Sequence, residues 1–139
     1  MKISRALLLL PLAALTAACG SSSVVPSASQ AHTIACRGYV LSVGDTDQTE
    51  LKNLVSQAPV SIDDLSSDDI VTKVRQAAAS AGATAGLSAS DFARFLAVVE
   101  QFDGLQAKAD VSSDGSSTVS ATTMQPLVDA VAAVHKLCY

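Results

Sequence analysis

Few residues in this 139-residue chain could do chemistry: two histidines, His32 and His135, three cysteines, Cys19, Cys36 and Cys138, and thirteen carboxylates. His135 stands three before Cys138, a spacing on which a helix could turn two metal ligands to one side, but there is no second Cys/His pair to complete a zinc site. Seven of the carboxylates cluster in two groups, Asp45, Asp47 and Glu50, and Asp63, Asp64, Asp68 and Asp69. Calcium is the chemistry such groups could support, yet neither has the twelve-residue loop with a central glycine and a closing glutamate. Acids at helix starts serve as caps and complement the helix dipole, and that is the role expected of them. Serines are plentiful, but no Gly-x-Ser-x-Gly elbow occurs. No glycine-rich phosphate loop followed by lysine occurs either. The expectation is no enzyme, with no catalytic residue, no metal site and no cofactor.

The first nineteen residues carry the most specific pattern. Lys2 and Arg5 open the chain, Ala6 to Leu15 is almost wholly apolar, and Ala17 and Ala18 run into Cys19. That is the layout of a secretory signal. It resembles the signal peptides of bacterial lipoproteins through Leu15, Thr16, Ala17, Ala18 and Cys19, departing from the usual pattern at Thr16, where that family carries leucine. The resemblance covers only these first residues. It implies cleavage before Cys19 and lipidation of the Cys19 thiol with palmitate-type acyl chains. Ordinary signal cleavage after Ala18 is the competing reading. A membrane-spanning helix is a poor fit, because Ala6 to Ala18 falls well short of the ~20 residues needed to span. Gly20 follows the cysteine where some lipoproteins carry an aspartate retention signal. By the resemblance, the protein would then be extracytoplasmic, held at the outer membrane of a Gram-negative host or the outer leaflet of a Gram-positive one.

With Cys19 lipidated, Cys36 and Cys138 remain, and outside the cytosol two such thiols are expected to pair. Buried free thiols are the alternative. Loss of Lys2 and Arg5 with the signal leaves seven basic against thirteen acidic residues, a net charge of −6 with histidine neutral. So acidic a chain has no electrostatic footprint for nucleic acid and no polybasic patch for anionic lipid. Its expected partners are the membrane, through the lipid anchor, and an envelope protein.

Three segments are expected: a signal at 1–18, a lipidated cysteine and Ser-rich tether at 19–34, and a helical domain at 35–139. Serines and Pro26 within Gly20 to Ser29 make a flexible, solvated composition. His32 falls in or beside that tether. Tyr39, Val40, Leu41 and Val43 read as a short extended lead-in. Four helical patterns follow. Asp47 with Glu50 starts the first, which carries Leu51, Leu54, Val55 and Ala58 and stops at Pro59. Ser66 with Asp69 starts the second, which buries Ile70, Val71, Val74, Ala77, Ala78 and Ala81 and ends at Gly82. Ser88 with Asp91 starts the third, whose stripe is Phe92, Phe95, Leu96, Val99 and Phe102. Thr122 with Gln125, and Pro126 in the first turn, start the fourth, with Leu127, Val131, Val134 and Cys138 inward and His135 near the last carbonyls. Asp110 to Ala121 is expected to be a mobile loop rather than a hairpin on Asp114-Gly115.

The fold expected is all-α, a small four-helix bundle closed by one disulfide. The function expected is that of a membrane-anchored extracytoplasmic lipoprotein, its helical domain a non-catalytic protein-binding or blocking module in the cell envelope. The alternative is a carrier of a small apolar ligand within the bundle.

Overall fold

A computed structural model of the chain describes residues 24–45 and 47–139. They are mostly helical. In chain order the elements are α1 (Ala28–Val43), α2 (Asp47–Ser56), β1 (Val60–Ser61), α3 (Ile62–Ser67), α4 (Asp69–Gly82), α5 (Ala89–Leu105), a 3₁₀ turn (Gln106–Lys108), β2 (Asp110–Val111), β3 (Ser117–Val119) and α6 (Ala121–Cys138).

The first helix corrects two expectations. Residues 28–34 were expected in the tether and 39–43 in an extended lead-in; all are helical. The start is a capping box: the Gln30 amide donates to Ser27 Oγ (3.3 Å) while the Ser27 amide donates to Gln30 Oε1 (3.0 Å). The inward stripe is Ala31, Ala35, Tyr39 and Val43, one residue every four, with Cys36 beside it. Two of those four are alanines, too small to stand out from a Ser- and Thr-rich background. Gly44, at φ 75°, ends the helix where a side chain would be strained.

Around α1 the helices pack pairwise. α4 lies against α1 and α5, α6 lies against α5, α1 and α2, and α3 lies against α4. Tyr39, Phe95, Met124, Leu127, Val131 and Val134 are fully buried between them. The rings of Tyr39 and Phe95 meet at 6.1 Å in a tilted arrangement, a geometry that favours aromatic pairs.

Helix starts differ in detail from the sequence reading. Ser88 caps α5 as expected, accepting from the Asp91 amide at 3.1 Å. α4 is capped by Asp68, which accepts from the Ile70 and Val71 amides. Ser66 belongs to the short α3 and donates back to the Ile62 carbonyl. α6 is capped by Ser120, not Thr122, so Pro126 lies inside the helix rather than in its first turn. The ring removes one hydrogen bond to the Thr122 carbonyl, and Thr122 is exposed, so water can serve that oxygen.

A three-stranded antiparallel sheet, ordered β1-β3-β2, joins the two ends of the middle section. Val60 stands opposite Val119, and Asp110 opposite Thr118. The Asp110–Ala121 segment is therefore a hairpin, not the mobile loop expected. Its turn is made by polar groups that composition does not weigh. Gly115 takes φ 83°. Asp114 Oδ1 accepts from the Ser116 amide (3.0 Å) and hydroxyl (2.7 Å). Buried Val119 pins the central strand to the core.

Candidate functional site

Cys36 on α1 and the last residue of α6, Cys138, form a disulfide with their Cα atoms 5.0 Å apart across a sequence separation of 102. The side chain of Cys36 faces inward because it flanks the Ala35–Tyr39 stripe. Cys138 arrives beside it because Leu127, Val131 and Val134 hold α6 in the core. Cys19 lies outside the described residues.

His32, one turn before Cys36 on α1, is not in a tether. Its Nδ1 pairs with Asp91 Oδ2 in the first turn of α5 at 3.0 Å, and its Nε2 lies 4.0 Å from Cys36 Sγ. A thiol, a histidine and a carboxylate in line could activate a nucleophile. Here the sulfur is bonded to Cys138 and has no thiolate to offer, so the His32–Asp91 pair acts as a tie between α1 and α5.

The carboxylates are dispersed among local duties. Asp68 caps α4, Asp63 and Asp64 occupy the first turn of α3, and Asp69 pairs with Lys73 one turn on, which raises the Lys73 pKa through hydrogen bond and charge. Arg75 on α4 reaches Asp103 on α5 at 2.7 Å. The Asp47 side chain lies outside the described residues. Among the described residues no group of three or more His, Cys, Asp or Glu side chains is placed to hold a metal ion. His135 stacks on Tyr139 with ring centroids 3.9 Å apart. The Tyr139 hydroxyl donates to the Gly44 carbonyl at 2.6 Å, tying the end of α6 to the end of α1.

Apolar surface is the more distinctive feature. On α5 the buried positions are Phe95, Val98, Phe102 and Leu105, so the core takes one side of the expected stripe and leaves Phe92 and Leu96 exposed. These two, with Val99, wall a cleft of about 260 Å3 whose other side is Ala78, Ala79, Gly82 and Ala83 of α4 and its cap. On α1, Ile34 and Leu41, two turns apart, both face solvent. Leu41 shares a cleft of about 420 Å3 with Arg37, Val40 and the disulfide. Sequence periodicity marks α5 as apolar but cannot say how much of an arc wider than the core will be covered. No family model, no curated protein and no solved structure matches the chain.

Proposed function

We propose that the chain is a membrane-anchored extracytoplasmic lipoprotein whose helical domain is a non-catalytic protein-binding or blocking module of the cell envelope, without cofactor. The address rests on the signal-like start ending at Cys19, and the Cys36–Cys138 bridge suits an oxidising compartment. We read α1, α4, α5 and α6 as the four members of one bundle, with α2, α3 and the sheet as additions on its flank.

The observation that carries the binding role is the outer face of α1, where Leu41 is 77% exposed beside exposed Arg37. A large apolar side chain next to an arginine, on a helix started by a capping box, pinned at its middle by a disulfide and tied at its end by the Tyr139 hydroxyl, is a rigid, preorganised contact surface. A lipid anchor raises the local concentration of such a surface at the membrane. The α4–α5 cleft favours the carrier reading instead, but at about 260 Å3 it is open and lies below the ~300 Å3 at which ligand pockets begin.

Site-specific photocrosslinking from position 41 in intact cells tests the binding role. A single discrete protein adduct, lost when Arg37 is replaced by Glu, is the expected result. Adducts to lipid alone, or the same adducts from a probe at Glu100, would overturn it.

A further inference from the structure

Five of the eight large apolar side chains exposed on the described residues are Val24 (82%), Val25 (64%), Ile34 (54%), Phe92 (46%) and Leu96 (37%). They lie on segments that two contacts draw together. Pro26 sits against Gly86 in the turn between α4 and α5, so closely that a Cβ on Gly86 would overlap the Pro26 carbonyl oxygen, and the Val25 side chain touches the same spot. The His32–Asp91 pair brings the early turns of α1 to the first turn of α5. Val24, Val25 and Ile34 therefore share one end of the domain with Phe92, and Leu96 lies one turn further along α5.

That end is also where the chain leaves. From Val24 back to Cys19 is five residues, a reach of at most about 18 Å, whereas α5 alone is about 25 Å long by its 17 residues. An acyl chain on Cys19 would be held closer to the Val24–Phe92 end than the length of one helix.

We propose that this end rests on the lipid bilayer, with Val24, Val25, Ile34, Phe92 and Leu96 inserted at the boundary of headgroups and acyl chains. The inference rests on the lipoprotein reading given above. With a net charge of −6 on the processed chain, the contact is apolar rather than electrostatic, so it forms on zwitterionic lipid and survives raised salt. It leaves Leu41, two turns beyond Ile34 along α1, and the β2–β3 hairpin, at the far end of α5, away from the bilayer plane.

The chain has no tryptophan, so one introduced indole reports alone. Full-length protein purified from membranes, carrying Phe92→Trp, Ile34→Trp or, at the far end, Val111→Trp, is reconstituted into phosphatidylcholine vesicles with brominated acyl chains. The expected result is a blue-shifted emission and loss of most of the intensity for F92W and I34W, unchanged by salt, with V111W unaffected. Circular dichroism identifies any variant that fails to fold, and two reporters keep the test alive if one does. Protein that floats with the vesicles while both reporters stay as unquenched as V111W would overturn the docking and spare the lipoprotein reading. Protein with no acyl mass on its N-terminal peptide and no flotation would overturn both. Shielding of F92W without vesicles, rising with protein concentration, would assign the face to a second copy and likewise overturn the proposal.

Discussion

The carbonyl oxygen of Pro26 occupies the space that a side chain on Gly86 would need. Gly86 also takes φ 85°, a conformation that side chains resist. The two conditions reinforce each other: the turn needs glycine for its own backbone and for the strand of chain laid across it. Gly86→Ala should cost about 1–3 kcal/mol and lift residues 24–26 from the α4–α5 turn. Urea denaturation reads the first effect and limited proteolysis near Val24 the second. Unchanged stability with unchanged cleavage would mean that the chain entry is not held there.

The disulfide should dominate global stability. It closes a loop of 102 residues, and for about 100 residues chain entropy contributes up to ~4.7 kcal/mol. A Cys36→Ser, Cys138→Ser double variant should lose about 2–5 kcal/mol. It should also loosen the end of α6, which its packing against α1 and the Tyr139–Gly44 hydrogen bond would then hold. Thermal melting with and without reductant measures the loss. A melting temperature insensitive to reductant would show that core burial of α6 suffices.

Ser27 tests whether α1 starts where the hydrogen bonds place it. The Ser27→Ala substitution removes one side of the capping box and should cost about 0.5–2 kcal/mol. Hydrogen exchange should quicken at residues 28–31 and stay slow at Tyr39. Equal exchange in both proteins would return these residues to a tether.

How much of the molecule the sequence discloses depends on how strongly each signal competes with its background. The Phe95–Phe102 stripe, the Ser88 cap and the α6 face of Leu127, Val131 and Val134 are strong local patterns, and each lies in an element near its expected place. α1 is faint in the sequence because Ala31 and Ala35 are weak marks of a core face and because Ser27, the cap, looks like one more tether serine. The hairpin is faint in the sequence because its strands are two and three residues long. Such strands exist through pairing and through burial of Val119, not through local propensity. His32 came with α1: once the helix is absent, nothing links the histidine to Asp91, 59 residues away.

The hairpin turn should respond to acid. Hydrogen bonds from the Ser116 amide and hydroxyl hold the Asp114 carboxyl below its usual pKa. A carboxylate whose folded pKa is depressed stabilises above its ordinary value and loses that contribution as pH falls through the folded one. The Ser116 amide resonance should therefore titrate with a midpoint under the ordinary carboxylate value and should not titrate in Asp114→Asn. A midpoint at or above the ordinary value would deny the turn its two hydrogen bonds.

Two phenylalanines three residues apart on α5 should behave oppositely. Phe95 is fully buried against Tyr39 and the α4 backbone at Gly82, whereas Phe92 is 46% exposed. Phe95→Ala should cost about 3–5 kcal/mol through lost transfer energy and the cavity left behind. Phe92→Ala removes a side chain that already pays half its hydration, so its loss should be under about 1 kcal/mol or nil. If Phe92 is kept for a surface outside the domain, its substitution weakens attachment there while leaving the unfolding curve in place. Equal destabilisation by the two substitutions would instead rotate the core face of α5 toward Phe92 and remove the exposed apolar end from the molecule.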